Sequence, residues 1–363
     1  MKIVCLVTND LSADQRMDRI CTTLSEDGHE VTLVGRQLPG SPPLTDKPYR
    51  QHRIRCRYTA GKRFYAEYNY RVWRTVRGWA YDVICAVDLD TLLAGTLLRG
   101  PAAKLVYDAH EWFSETPEVV HRALIRGSWR GLGRALVPRT DARYTVGPEL
   151  AKELEKDYGV PFQTVRNLPR AIENAKEENA GGVIIYQGML NPGRGLEEAI
   201  AAMGFLPILQ LWIVGSGPEE QNLHRLADRL GVAERVWFAG FRSPGELPEL
   251  TRRAWLGLNL LRADSPSYYY SLANKSLDYV QAGLPSIQMD FPEYRALNDT
   301  YGCYVLLGEL TPEALAAEIK QLVAEPERYQ ALRKNCGAAA LELSWEREAP
   351  KLLRIYRELE GAN

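Results

Sequence analysis

The chain has 363 residues, 45% hydrophobic and 25% charged, with a formal net charge of −1. That is the composition of an ordinary globular protein and excludes a disordered or fibrous chain; at this length one compact core is outgrown and two domains are expected. The six cysteines (Cys5, Cys21, Cys56, Cys85, Cys303, Cys336) are scattered, with no C-x-x-C pair and no histidine at metal-ligand spacing. Such usage argues for reduced thiols in a cytoplasmic protein, against a disulfide framework or a zinc site.

In chain order, "MKIVCLVTND" reads as a short buried strand that meets polar residues too soon for a signal peptide. No later run approaches the roughly 18–20 apolar residues of a membrane-spanning helix. "DQRMDRICTTLSEDG" reads as a helix with Met17, Ile20, Cys21 and Leu24 on one face and Gly28 as its stop, and "HEVTLVG" as the next strand, so residues 2–35 make a βαβ unit. "YDVICAVD", "AKLVYDAH" and "ARYTVG" supply further strands between helical stretches. After the polar, Gly-ended "RAIENAKEENAGG", read as a linker, the scheme repeats with "GVIIYQG", "LQLWIVGSGP", "RVWFAGF", "LGLNLL" and "PSIQM". Alternating strands and helices predict an α/β protein of two doubly wound parallel sheets facing across a cleft, 1–170 and 171–344, with a last helix at about 345–363.

Charge is unevenly spread. Residues 1–170 hold 26 basic against 20 acidic side chains, and the remainder 19 against 26. The basic excess concentrates in Arg50–Ala80, where nine Lys/Arg stand against one Glu among several tyrosines and two tryptophans. Two readings follow: a solvated helix–loop face, or a surface that meets phosphates through Arg71, Arg74 and Arg77. No recognition module accompanies the patch, so nucleic acid is not an expected partner.

Two loops of the second half fall where such sheets bind ligands, after a strand and before a helix. "YQGMLNPGRGLEEAI" carries Gly188, Gly193 and Arg194; "IVGSGPEEQ" carries Gly215 and Gly217. Glycines there let a ligand approach the backbone, and an arginine at a helix start suits a diphosphate. Neither loop is a G-x-G-x-x-G or a P-loop. Further on, "SLANKSLDYVQAGLPS" sets Lys275 and Asp278 one turn apart on a helix whose Leu277, Val280 and Leu284 form an apolar stripe. The pair reads either as a surface ion pair or as part of a site.

Taken together, "TNDLSADQRMDRICTTLSEDGHEVTLVG", "LVYDAHEWFSE", "VRNLP", "YQGMLNPGRGLEEAI", "LWIVGSGPEEQNL", "RVWFAGFRSPGEL", "NKSLDYVQAGLPSI" and "SWEREAPKLLRIYREL" resemble, in order and spacing, the retaining GT-B-fold glycosyltransferases of family 4. The resemblance implies a last helix that crosses back onto the first domain. It implies a nucleotide-diphosphate sugar as donor, a saccharide or lipid-linked acceptor, no metal or other cofactor, and a cytoplasmic enzyme docked peripherally at an anionic membrane.

Residue by residue, the resemblance gives Asp278 the nucleotide ribose hydroxyls, which a carboxylate suits because it accepts two hydrogen bonds. Eight positions earlier, where the family commonly has a Glu on the transferred sugar, stands Tyr270. Ser271, Asn274 and Lys275 then face the donor phosphates or sugar. Arg194 neutralises the leaving diphosphate, while the basic residue usual after Gly188 is replaced by Met189. Phe241 and Arg242 meet the nucleobase. His110 lies near the transferred sugar and acceptor, with Asp108 and Glu111 as candidates to orient it. Arg16 stands in for the missing glycine pair of the first loop. The substitutions at Met189 and Tyr270 keep a catalytically silent GT-B subunit open as an alternative, and less readily an NDP-sugar 2-epimerase.

Overall fold

The structure, a computed structural model, describes residues 1–12, 14–101, 103–171, 181–243 and 245–361. Contacts divide the chain into two units, Met1–Asn167 with Glu348–Asn363, and Leu168–Arg347. Most of the segment read as a linker, residues 172–180, lies outside the described residues.

In the first unit the strands are β1 (Lys2–Asp10), β2 (Glu30–Gln37), β3 (Arg50–Arg55), β4 (Val83–Val87), β5 (Lys104–Ala109), β6 (Ala142–Thr145) and β7 (Gln163–Thr164). They form one parallel sheet in the order β3-β2-β1-β4-β5-β6-β7. The central strands are apolar almost throughout because helices cover both faces: Ile3, Cys5, Leu6, Ile84 and Leu105 are all fully buried. The helix Gln15–Glu26 starts where the Asp14 side chain accepts a hydrogen bond from the Met17 amide at 3.0 Å. Its Met17, Ile20, Cys21 and Leu24 are buried, and the chain leaves it through Gly28 at φ 90°.

β3 had no strand signal in the sequence. It is an edge strand paired only to β2, so "RQHRIR" meets solvent along one side and carries charge where a central strand carries Val or Ile. From Glu348 onward the last helix, Trp345–Gly361, belongs to this unit. There Leu352, Ile355 and Tyr356 are buried, Glu348 accepts the Arg166 amide at 2.9 Å, and Arg357 pairs with Asp27 at 2.7 Å.

The second unit holds β8 (Val183–Gln187), β9 (Gln210–Val214), β10 (Val236–Gly240), β11 (Leu256–Asn259), β12 (Ser286–Met289) and β13 (Tyr304–Leu307), parallel in the order β10-β9-β8-β11-β12-β13. Its core gathers Ile184, Leu211, Ile213, Leu256, Leu258 and Ile287 with Leu277 and Val280 of the helix Asn274–Gln281. In each sheet the winding direction reverses once, between β1 and β4 and between β8 and β11. Ligands of doubly wound sheets bind beyond the strand ends at that reversal, because the two loops there part in opposite directions.

Candidate active site

At the reversal of the second unit, three loops are sewn together by their backbones. The Gly188 amide donates to Val214 O at 2.9 Å, Leu190 to Ser216 O at 3.0 Å, Gly215 to Gly240 O at 2.9 Å and Arg262 to Gly193 O at 2.9 Å. This sewing, more than ligand approach, dictates the glycines. A Cβ on Gly215 would stand 1.9 Å from Gly188 O, and one on Gly217 2.6 Å from Leu190 O. Gly215 also sits at φ 150°.

Two basic side chains meet on this platform. Arg194 lies over the Tyr268 ring at 4.7 Å, and its Nε is shielded from solvent without a hydrogen-bond partner. Lys275, only 8% exposed, comes from the helix Asn274–Gln281 and points its Nζ over the Tyr186 ring at 4.9 Å. Its aliphatic end fills the space beside Gly188, where a Cβ would touch Lys275 Cε at 3.3 Å. Burial, and then the neighbouring Arg194, push the Lys275 ammonium well below its usual pKa, while Asp278 opposes them.

No ion pair joins Lys275 to Asp278, so of the two readings of their spacing the surface ion pair is the one the structure does not form. Asp278 is turned instead to Gln187, whose amide donates to it at 3.1 Å, and Gln187 is held by the Thr251 hydroxyl at 2.7 Å. One oxygen of the carboxylate is thereby fixed at the end of β8. Ser271 donates its hydroxyl to Tyr268 O at 2.8 Å, and the Ala273 amide donates to the Tyr294 hydroxyl at 3.1 Å. Those two donors of the helix start are thus occupied within the protein. Asn274 is exposed, Tyr270 is half-buried against Tyr269 with ring centroids 5.0 Å apart, and Phe241 is 72% exposed just past β10 beside half-buried Arg242.

The first unit builds a separate cluster at its own reversal. Arg16 is not at a surface: it is 4% exposed, donates to Val165 O at 3.1 Å and pairs with fully buried Asp108 at 2.8 Å. Arg16 is thus committed to a buried acid inside the first unit, not open in the first loop where the resemblance has it stand in for the glycine pair. The other Asp108 oxygen meets His110 Nε2 at 3.0 Å. Burial alone would raise Asp108, but Arg16 and then His110 outweigh it and hold the carboxyl at about 2. Burial would likewise lower His110, yet Asp108 and Asp88 lift it to about 9, so near neutral pH it is an imidazolium.

Asp88, missed as a site candidate, adopts φ 56°, a strained left-handed conformation for a non-glycine residue. From there one oxygen accepts the His110 amide at 2.8 Å, and the other stands 3.9 Å from its Nδ1. Burial, followed by the charge of Asp88, lifts neighbouring Asp90 to about 7 although the Thr8 hydroxyl donates to it at 2.6 Å. Of the two acids expected to orient His110, Asp108 does so; Glu111 is exposed.

Two family models match in succession: Glycosyltransferase Family 4 over residues 13–176, and Glycosyl transferases group 1 over residues 169–339. The chain belongs to glycosyltransferase family 4. It is 29% identical over 183 residues to a D-inositol 3-phosphate glycosyltransferase of Segniliparus rotundus, a stretch covering 48% of this chain and 39% of that relative. The match thus spans well under two thirds of the relative's length. The fold is GT-B, as in sucrose-phosphate synthase from Thermosynechococcus elongatus (TM-score 0.85, 18% identity, 100% of both chains). HepE of Anabaena, solved in complex with UDP-glucose, shares the fold at TM-score 0.77 and 16% identity, with 99% of this chain and 100% of that one covered.

Against this GT-B frame, the residues that sequence reading missed are those supporting the charged groups from beneath. Tyr186, Tyr268, Gln187 and Thr251 lie under or behind Lys275, Arg194 and Asp278. No short motif marks them, because each is a strand or helix residue whose role depends on what crosses above it. The basic helix Gly61–Val76 exposes Arg71 and Arg74, with Arg77 just beyond it. Arg71 is tied to Glu67 at 2.7 Å and Arg77 lies over Trp73 at 4.6 Å. Among the described residues no helix is long and apolar enough to cross a membrane.

Proposed function

We propose that this glycosyltransferase moves a sugar from a nucleotide-diphosphate sugar to a hydroxyl acceptor with retention at the anomeric carbon. One observation carries the reading: two basic side chains, Arg194 and Lys275, converge at the carboxyl end of β8 with, among the described residues, no carboxylate ion-paired to either, while Asp278 is fixed one turn away. Two basic side chains without an ion-paired carboxylate among the described residues fit a ligand with adjacent negative charges, and a fixed carboxylate oxygen beside them fits a vicinal diol. A nucleoside diphosphate has both. Charge builds on the diphosphate as the glycosidic bond breaks, so these cations favour the transition state over the ground state, without calling on a metal. Gly188, Gly193, Gly215 and Gly217 shape the platform, and Phe241 and Arg242, just past β10, are proposed to meet the base. Tyr270, Ser271 and Asn274 are proposed to border the transferred sugar.

In the first unit, the His110 imidazolium is proposed to donate a hydrogen bond to a sugar or acceptor hydroxyl, since its raised pKa suits a donor better than a base. The acceptor is proposed to be lipid-linked, with Arg71, Arg74 and Arg77 meeting an anionic membrane from the cytoplasmic side. Basic side chains interleaved with Tyr70 and Trp73 support that reading.

A thermal-shift screen with UDP, GDP, ADP and their sugars, followed by assay of nucleoside-diphosphate release, tests the proposal. Asp278→Ala should weaken nucleotide binding at least tenfold, from roughly 1.5–3 kcal/mol for a hydrogen bond to a charged group. Arg194→Ala should lower kcat more than it raises KM. Binding without turnover across all donors would refute the transferase reading.

A further inference from the structure

Lys275 has a property that charge alone does not require: it is buried without a counter-ion. Its side chain is 8% exposed, and among the described residues it makes no hydrogen bond or ion pair. The groups facing it are the Tyr186 ring from β8, Arg194 from the glycine loop and Asp278 from its own helix. Burial keeps the Tyr186 phenol protonated and neutral. Arg194 is a like charge. Asp278, the attractive group among the described residues, has an oxygen engaged by Gln187 at 3.1 Å. β11, β12 and the helix Pro326–Glu342, which also pack against the helix Asn274–Gln281, contribute no charge that acts on the amine. A lysine desolvated in this way beside a guanidinium gives up its proton readily, and an anion placed against it returns the preference for the ammonium.

We infer that Lys275 waits in the empty site as a neutral amine and takes up one proton as a diphosphate enters, so that nucleotide binding here is coupled to protonation. The inference rests on the nucleotide-diphosphate reading above. The balance is simple: the Nζ lone pair forms an N–H bond with a proton from the solvent buffer, and the buffer's conjugate base is left behind. Affinity then falls up to tenfold per unit rise in pH between the pKa of the empty site and that of the occupied one. When the nucleoside diphosphate leaves, the proton leaves with it, and the site returns to a single fixed cation, Arg194.

Titration calorimetry of the whole protein at one pH, in buffers of different ionisation enthalpy, measures the proton directly. The probe is whichever of UDP, GDP or ADP binds, with the corresponding nucleoside as control. The wild type should take up close to one proton per diphosphate and none with the nucleoside. Lys275→Met should bind about tenfold more weakly without uptake, and Lys275→Arg, charged throughout, should bind without uptake. Uptake near zero in the wild type, or uptake unchanged in Lys275→Arg, overturns the inference while leaving the nucleotide site standing. Absence of binding by every diphosphate overturns the nucleotide reading itself.

A readout without ligand separates the two and guards against misfolded variants. A lysine neutral in the fold but charged when unfolded makes stability rise with pH from its folded pKa toward about 10.4. Lys275→Met should remove that slope, and an identical slope in wild type and variant would show that the empty site already holds an ammonium.

Discussion

Arg16→Met tests how the first unit holds its charged centre. Asp108 is fully buried and Arg16 4% exposed, so the methionine would leave a carboxylate in the interior with only His110 beside it. Breaking a buried pair by removing one partner costs roughly 3–5 kcal/mol, because the remaining charge is neither solvated nor paired. For a unit of this size each kcal/mol lowers Tm by about 2–4 °C, which gives a shift of roughly 6–20 °C. Differential scanning calorimetry would follow the transition, with the double variant Arg16→Met/Asp108→Asn as the decisive comparison. Removing both charges should restore most of the lost stability, since the cost lies in the orphaned carboxylate rather than in the missing contact. A single variant within about 1 kcal/mol of wild type, or a double variant no better than the single, would refute the reasoning.

The His110 imidazolium predicts a pH signature. Its folded pKa of about 9 exceeds the unfolded value, so its stabilisation, up to roughly 3 kcal/mol, is fully present below about pH 6.5 and lost as pH rises through 9. Denaturation of wild type and His110→Phe should therefore differ most at low pH and converge above pH 9.5; parallel curves would contradict the assignment. Gly215→Ala should destabilise the second unit by about 2–5 kcal/mol, through φ strain plus the contact with Gly188 O, whereas Gly28→Ala, with open space around it, should cost only about 1–2 kcal/mol. Equal losses would mean that the loop sewing yields easily. Reversing Arg71, Arg74 and Arg77 to Glu should abolish salt-sensitive flotation with anionic vesicles, at about 1 kcal/mol for each charge near the surface. Equal partitioning of wild type onto neutral and anionic vesicles would favour a soluble acceptor.

What the sequence determined by itself was everything written in local pattern. Apolar runs with helical stretches between them foretold two parallel sheets, because covered strands must be apolar on both faces. Met17, Ile20, Cys21 and Leu24 fell on the buried face of their helix, and the glycine loops landed beyond strand ends. Resemblance in ordered motifs named the family. β3 stayed hidden because an edge strand is free to carry charge, and β13 because "YVLL" is too short to be told from a helix segment.

Only the tertiary structure decided which charges meet. Arg16 and Asp108 are 92 residues apart and Gln187 and Asp278 are 91 apart, so no spacing rule connects them, and Lys275 forms no ion pair with the carboxylate one turn away. The glycines at 215 and 217 looked like room for a ligand and are in large part room for another loop. Burial, which only folding supplies, pushes the Lys275 ammonium on its amphipathic helix well below its usual pKa, whereas His110 after its strand is held as a cation against burial by Asp108 and Asp88, which only the fold brings to it.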